Sequence, residues 1–264
     1  MKNRLDEIIA HKRNEVASKQ AAGLEARLIA QSRDLPAVRD FASVLFGEAV
    51  SLIAEVKKAS PSAGLIRDPF DPVGIARAYE SAGASALSIL TDEKFFQGGI
   101  GNLKQIREMT TLPCLQKDFI IDEIQLLEAR VAGADAVLLI VAALDDSKLK
   151  LLHDCARNLG LHVLVEVHNE LELDRALSLQ ASIIGINNRD LTKMETSLNV
   201  TMQLASKIPD DKIIVSESGI KTFNDVQMLK MLGVDAILVG ESLLRQENIE
   251  VATRTLMGAK QLAD

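Results

Sequence analysis

Tryptophan is absent from this chain of 264 residues, which also contains only one tyrosine and two cysteines. With so few aromatic residues, base stacking on nucleic acid is not expected. The net charge of −7 argues against a general binder of nucleic acid or of membrane surfaces. No apolar run approaches the roughly 18 residues of a membrane span. No GxGxxG sequence follows a predicted strand, so a dinucleotide site is not supported.

The cysteines and histidines show no spacing typical of a metal site. Cys114 and Cys155 are isolated in apolar surroundings, which is typical of reduced core thiols in a cytoplasmic protein. His162 and His168 flank one predicted strand, but six residues apart on a strand is poor ligand geometry. We therefore interpret both histidines as structural and predict a cytoplasmic protein without a metal site.

Strand and helix patterns alternate eight times along most of the chain. A hydrophobic content of 47% with 25% charged residues allows a large buried core, and the length is ordinary for a single α/β barrel. Strands that are apolar on both faces and alternate with helices indicate a parallel sheet covered by helices. The predicted strands are 50–56, 86–90, 114–117, 136–140, 162–167, 183–187, 212–216 and 236–239. The predicted helices are 72–82, 100–109, 122–132, 145–159, 169–179, 197–207, 222–232 and 248–262.

An internal repeat favours a closed barrel over an open sheet. Gly83, Gly133 and Gly233 are 50 and 100 residues apart and lie in similar sequences, with a weaker copy at 180–183. In each copy a helix C-cap glycine, or its replacement, leads into a strand. The repeating unit is two strand–helix steps, so four units give eight strands. We predict a (βα)8 TIM barrel over residues 49–264.

Residues 1–48 carry helical periodicity without strand signals. An amphipathic helix is predicted first, a second over 23–31 and a third over 36–46. Because their apolar faces need a surface to cover, we predict a helical extension packed on the barrel. Our hypothesis is that it covers the substrate end.

Charged residues interrupt the apolar pattern where the predicted strands end. In the first strand, Glu55 and Lys57 share one face, since side chains alternate along a strand. The active site of a TIM barrel lies at the C-terminal ends of its strands. One such residue is more often a solvated loop residue, but six of them at strand ends indicate a site in which opposite charges tune acid and base groups. The six residues are Glu55, Lys57, Lys117, Glu166, Asn187 and Glu217.

Glycine-containing turns after the last two strands indicate a phosphate site. Ser218-Gly219 and Gly240-Glu241-Ser242 place backbone amides where barrels commonly bind phosphate. Glycine permits close approach of the main chain to an anion. We expect the side chain of Glu241 to turn away from the phosphate. Ser60 and Lys57 could add a hydroxyl and a positive charge.

With these residues the sequence closely resembles the indole-3-glycerol phosphate synthase family. The resemblance covers nearly the whole chain, and related phosphate-binding barrels share its last turns but not the combination of Glu-x-Lys with Lys-Asp-Phe. The matching segments are IAEVKKASPS (53–62), LTDEKFFQGG (90–99), KDFIID (117–122), GADAVLLIVAAL (133–144), LVEVH (164–168), GINNRDL (185–191), SESGI (216–220) and LVGESL (238–243).

The resemblance implies a carboxy-lyase of tryptophan biosynthesis that needs no cofactor. It would close the ring of 1-(2-carboxyphenylamino)-1-deoxyribulose 5-phosphate to give indole-3-glycerol phosphate, carbon dioxide and water. Lys117 would be the general acid, with Glu166 and Glu55 stabilising the developing iminium charge. Lys57 would contact the substrate carboxylate, and Asn187 the sugar hydroxyls.

The same resemblance implies roles for the remaining site residues. Arg189, Glu217 and Ser218 would support the site. The implied phosphate ligands are Ser60, Gly219, Gly240, Glu241 and Ser242. The residues implied to flank the aromatic ring are Phe96, Phe119, Leu139 and Leu191.

Two positions differ from the family pattern, and two other functions compete with this one. Ala63 stands where lysine is common, and Gln116 where arginine is common; neither is an acid or base position.

A phosphosugar isomerase on the same barrel would need an acid–base pair but has no use for Lys117. A non-catalytic binding or scaffold barrel would not need complementary charges at the ends of so many strands. The closed strand edges favour a monomer, or a weak homodimer paired through helix faces.

Overall fold

The computed structural model describes residues 4–190 and 195–259. Eight parallel strands form a closed barrel in chain order, and the last strand pairs with the first. This confirms the predicted TIM barrel. The strands are β1 (Ser51–Val56), β2 (Ala86–Leu90), β3 (Cys114–Lys117), β4 (Ala136–Ile140), β5 (His162–Val167), β6 (Ile183–Asn187), β7 (Ile213–Glu217) and β8 (Ala236–Val239).

Helices precede the barrel and connect its strands. Most predicted helices agree with these bounds to within two residues; α4, α11 and a short hairpin of Ala59–Ser60 with Gly64–Leu65 were not predicted. The helices are α1 (Arg4–Ala21), α2 (Leu24–Ser32), α3 (Pro72–Ser81), α4 (Glu93–Phe96), α5 (Ile100–Met109), α6 (Glu123–Ala132), α7 (Asp146–Asn158), α8 (Glu170–Ser178), α9 (Asn199–Leu204), α10 (Phe223–Met231), α11 (Glu241–Leu244) and α12 (Ile249–Leu256). Single 3₁₀ turns cover Ser43–Leu45, Val141–Ala143 and Ala205–Lys207.

Side-chain caps fix where the helices begin. The side chain of Asp122 accepts from the amide of Ile124, and the side chain of Gln125 accepts from the amide of Asp122. The two hydrogen bonds form a capping box. Thr222 and Asp225 make the same arrangement at α10. Each cap satisfies backbone N–H groups that the first turn leaves without partners. The helix predicted to reach residue 262 ends at Leu256.

The repeated turns lie at the N-terminal face of the barrel, where helices lead into strands. Gly83, Gly133 and Gly233 have φ of +89°, +89° and +80°, and Gln180 takes the same left-handed conformation with φ of +59°. Glycine adopts this conformation without a steric cost. The prediction of a C-cap glycine, or its replacement, in each copy is confirmed.

The third predicted helix, over residues 36–46, is wrong. The segment has no regular secondary structure up to residue 40 and then forms one 3₁₀ turn, while the amide of Arg39 donates to Oδ1 of Asp135 at 2.7 Å. Phe41 and Leu45 are fully buried among interior residues of the strands. Burying two such side chains contributes about 1.5–3 kcal/mol each. This burial at the N-terminal end of the barrel outweighs the local helical pattern.

The barrel interior is built from alternate residues of each strand. Ile53, Leu115, Leu164 and Val215 belong to one buried interior cluster. The next inward position of each strand lies two residues further on, because side chains alternate faces. Those positions are polar: Glu55, Lys117, Glu166 and Glu217. The strands therefore bury apolar residues inside the barrel and present charged ones at its C-terminal face.

The N-terminal helix α1 is attached to that face through one buried cation. Nζ of Lys12 lies 3.1 Å from Asp92 and 2.8 Å from Asp118, which follow β2 and β3. Lys12 is 1% exposed. Burial alone would lower the pKa of Lys12, but Asp118, Asp92 and Glu15 outweigh it and raise that pKa above its ordinary value. Within the described residues, no helix is both long and apolar enough to cross a membrane.

Candidate active site

Lys117 lies at the centre of the charged cluster. Its Nζ donates to Oε2 of Glu166 at 2.8 Å and to Oε2 of Glu217 at 2.9 Å. These residues come from β3, β5 and β7, at 117, 166 and 217 in the sequence. The convergence predicted from the strand ends is therefore present in the structure.

The three groups shift one another's protonation. Burial would lower the pKa of Lys117, but Glu166, Glu217 and Glu55 outweigh it and raise that pKa well above its ordinary value. Burial raises the pKa of Glu217 against the effect of Lys117, and repulsion from Glu166 brings it to about 7. For Glu166, Lys117 and His168 overcome burial and hold the pKa well below the usual range. At neutral pH the cluster thus holds a protonated lysine and a carboxylate.

Glycines on neighbouring strands make room for the carboxylates. A β-carbon at Gly185 would lie 2.3 Å from Oε1 of Glu217, and one at Gly240 would lie 2.6 Å from Oε1 of Glu55. Real β-carbons do not approach so closely, so any side chain at either glycine would displace a carboxylate. Glu55 also forms an ion pair with Lys57 on the same face of the first strand and its continuation.

The cluster opens into a cavity of about 690 Å³ at the C-terminal face. That volume falls within the usual range of small-molecule sites. Fifteen predicted site residues line it: Glu55, Lys57, Ser60, Phe96, Lys117, Phe119, Glu166, Asn187, Arg189, Glu217, Ser218, Gly219, Gly240, Glu241 and Ser242.

Two predicted residues are not in this set. Leu139 is fully buried in the cluster between strands and helices, because it has the opposite alternation from the inward residues of β4. Leu138 and Ile140 line the cavity instead. Leu191 lies outside the described residues.

One end of the cavity is apolar and aromatic. The rings of Phe96 and Phe119 are 6.1 Å apart between centroids and tilted by 38°. Phe119 packs against the interior cluster that contains Leu138, and Leu5 and Ile8 of α1 also line the cavity. The helix residues were missed as site residues, because amphipathic spacing alone does not reveal what a helix covers.

The other end is rich in backbone amides and cations. Gly219 takes a left-handed conformation with φ of +82°. Arg189 donates to Oγ of Ser62 at 2.9 Å and so connects the loops after β6 and β1. Lys221 and Arg245 also line this end and were not predicted. Their positions next to predicted turns were the available signal.

Glu241 faces these cations. Its Oε1 accepts from Nε of Arg245 at 3.0 Å, and its Oε2 lies 3.8 Å from Arg189. The hydroxyl of Ser242 donates to the carbonyl of Ile220 at 3.0 Å, which ties the loops after β7 and β8 together. The carboxylate of Glu241 is thus occupied by arginines.

A family model described as indole-3-glycerol phosphate synthase matches residues 5–256. The chain belongs to this family. It is 50% identical over 256 residues to the indole-3-glycerol phosphate synthase of Rhodopirellula baltica, covering 97% of this chain and 99% of that protein. It is 49% identical over 249 residues to the enzyme of the same name from Chloroherpeton thalassium, covering 93% and 96%.

Solved structures support the fold of this member of the indole-3-glycerol phosphate synthase family. A 3-hexulose-6-phosphate synthase superposes with a TM-score of 0.65 at 14% identity, covering 80% of this chain and 99% of that one. The N-acetylmannosamine-6-phosphate 2-epimerase of Clostridium perfringens gives a TM-score of 0.61 at 15% identity, covering 79% and 93%. At such identities the likeness concerns the fold alone.

Asn188 fixes the loops beside the site in this indole-3-glycerol phosphate synthase family member. It is 1% exposed, and its Nδ2 donates to Oγ of Ser216 and to the carbonyls of Glu217 and Ser218 at 3.0–3.1 Å. The preceding Asn187 accepts from the amide of Arg189 at 3.0 Å. Asn188 thus holds the end of β7, and Asn187 faces the cavity.

His168 was interpreted as structural from the sequence, but it lies directly behind Glu166. Its Nε2 is 3.3 Å from Oε1 of Glu166, and its Nδ1 is 3.0 Å from Oε2 of Glu172. The available signal was the i, i+2 spacing of Glu166 and His168, which puts both on one face of the strand and its continuation. Among the described residues, no group of three or more His, Cys, Asp or Glu side chains could hold a metal ion.

Proposed function

We propose that this protein is an indole-3-glycerol phosphate synthase that converts 1-(2-carboxyphenylamino)-1-deoxyribulose 5-phosphate to indole-3-glycerol phosphate, carbon dioxide and water. The observation that carries the proposal is the position of Lys117. Its ammonium group lies between two glutamates in a cavity with an aromatic end and an amide-rich end. Those three features match the keto group, the anilino ring and the phosphate of this substrate.

Binding at both ends of the cavity brings the reacting atoms together. The phosphate binds at the amides of Gly219 and Gly240, with Ser60 and the nearby cations. The anilino ring lies against Phe96 and Phe119. Holding both ends makes closure an intramolecular reaction in a fixed geometry, which can supply a large part of the rate enhancement.

The first step forms a carbon–carbon bond. The ring carbon that bears the carboxylate attacks the keto carbon, and Lys117 donates a proton to the keto oxygen. The raised pKa of Lys117 keeps its side chain protonated before the substrate reacts, so the proton that the keto oxygen needs is present. The nitrogen takes iminium character, and the carboxylates of Glu166 and Glu55 stabilise this charge.

Two eliminations then produce the indole. Breaking the bond to the carboxylate releases carbon dioxide, and its electron pair neutralises the iminium. Lys57, which contacts the substrate carboxylate, then protonates the departing hydroxyl, and a carbon-bound proton passes to a glutamate. Asn187 orients the sugar hydroxyls, while Arg189, Glu217 and Ser218 support these groups.

The direct test is product formation from this substrate. Adding the anilino-deoxyribulose phosphate to the purified protein is expected to produce indole absorbance and fluorescence together with one carbon dioxide per indole. A ketose phosphate without the anilino group should give neither signal. If no indole forms between pH 6 and pH 9, the proposed function is wrong.

Gly219→Ala tests the phosphate site. A β-carbon there would lie 2.6 Å from Cγ2 of Thr196, and φ is +82°. Left-handed strain of about 1–2 kcal/mol should displace the amide and raise KM by roughly tenfold, with a smaller change in kcat. The matched control is Gly233→Ala, with φ of +80° and no described atom within 4 Å, at the opposite face. Equal KM values for the two variants would contradict the assignment.

We further propose that residues 1–48 are an extension serving the catalytic barrel of residues 49–264. The contacts of α1 with the cavity and of Phe41 with the interior support this division. We also propose a cytoplasmic protein that binds no nucleic acid and works as a monomer or a weak homodimer. Support comes from the negative net charge and the closed strand edges.

A further inference from the structure

Glu166 of β5, His168 just after it and Glu172 of α8 form a series of contacts with alternating charge. His168 lies between Glu166 and Glu172, with nitrogen–oxygen distances of 3.3 Å and 3.0 Å. Glu172 is itself fixed, because it accepts from the amide of His168 at 2.9 Å and from Nδ2 of Asn169 at 2.7 Å. The imidazole side chain is 11% exposed, and the hydrogen bond between its Nδ1 and Glu172 fixes its orientation.

The other charges around Glu166 come from three further strands. Lys117 contacts it from β3, and Glu217 faces the same lysine from β7. Glu55 of β1 adds a further negative charge, paired with Lys57. Burial alone would lower the pKa of His168. The two carboxylates next to it, Glu166 and Glu172, outweigh burial and raise that pKa to about 10. The imidazole therefore carries a positive charge throughout the neutral range.

Glu166 and Glu217 are equivalent with respect to Lys117 and differ with respect to His168. Each places one oxygen within 2.9 Å of Nζ. The second oxygen of Glu166 lies 3.3 Å from Nε2 of His168, an ion-pair contact without hydrogen-bond geometry, whereas Oε1 of Glu217 has no hydrogen-bond partner among the described residues. An anion with two cationic neighbours holds its charge better than one that shares a single cation.

We infer that His168 is a positioning residue that keeps Glu166 ionised and leaves the shared proton of the carboxylate pair on Glu217. This inference rests on the proposed function and adds to it which of the two glutamates is charged. Glu166 is then the carboxylate available to the iminium charge. Glu217 is then the neutral carboxyl group beside Lys117. Without His168, Glu166 loses this advantage over Glu217 in the competition for the proton.

The test is the pH dependence of kcat/KM in His168→Gln. Losing a cation next to a carboxylate raises its pKa by about 1–3 units, so the acid limb should move upward by about one pH unit or more. Relative to wild type, the kcat/KM of the variant should be about tenfold lower on the acid limb than it is at pH 8.5. His168→Lys restores a positive charge and should move the limb back. His162→Gln, at the other end of the same strand, is the matched control.

The outcomes separate this inference from the proposed function. A profile lowered by one factor at every pH, with the limb unmoved, would give His168 a purely structural role and overturn the inference. Failure of the wild-type protein to form indole would overturn the function instead. If His168→Gln does not fold, imidazole NMR of the wild-type protein decides. A His168 signal that titrates below pH 7 contradicts the inference, and one that stays protonated to pH 9 supports it.

Discussion

Lys117→Met is expected to lower kcat by about 10²–10⁴-fold, the usual contribution of a general acid. Methionine keeps the length of the side chain but cannot protonate the keto oxygen. The phosphate and aromatic ends of the cavity are untouched, so substrate should still bind. Stopped-flow indole fluorescence gives turnover, and calorimetric titration of the substrate gives its dissociation constant. Turnover within threefold of wild type would show that Lys117 is not the acid.

The same variant should change how stability depends on pH. Without the ammonium, Glu166 and Glu217 are buried close together, and their pKa values should rise. A group whose folded-state pKa is raised loses stability as the pH rises through that value. The deficit of Lys117→Met should therefore grow from pH 5 to pH 8. Lys104→Met, at an exposed position of α5, should change neither turnover nor this dependence.

The barrel and most of the site could be predicted because both follow from alternation. An apolar residue inside a strand, such as Leu115 or Leu164, places the residue two further on into the same interior. Lys117 and Glu166 thus reveal themselves as polar residues where the pattern calls for apolar ones. The same rule places Leu139 on the helix-facing side of the barrel. The residues on either side of it, Leu138 and Ile140, line the cavity instead, so the predicted ring contact is wrong by one position.

What the sequence could not reveal depends on long-range packing. Phe41 and Leu45 have helical spacing, yet they fill the end of the barrel, a surface that exists only after the strands have closed. Lys12 reads as one more charged residue of an amphipathic helix. His168 looks like a residue following a strand until Glu166 and Glu172 are seen on either side of its ring. Local pattern determines which elements form, and the partners of a charged residue are determined by the assembled fold.

Lys12→Met should destabilise the fold by about 3–5 kcal/mol, because it leaves two buried carboxylates without their cation. Asp92 and Asp118 are 0% and 7% exposed and lie within 3.1 Å of Nζ. In a chain of this size the loss corresponds to a fall in melting temperature of about 10 °C. Since folding raises the pKa of Lys12, this side chain contributes its full share of the free energy of unfolding at every pH below the pKa of lysine in the unfolded chain.

The matched control is Lys19→Met on the same helix. Lys19 also contacts carboxylates, Glu128 at 2.6 Å and Glu15 at 3.2 Å, but its side chain is 25% exposed. A more exposed pair contributes about 0–1 kcal/mol, so this variant should melt within a few degrees of wild type. Lys12→Met should also raise KM more than it lowers kcat, because Asp92 caps the helix that carries Phe96. Equal melting temperatures for the two variants would mean that α1 is held by its apolar contacts and not by the buried charge.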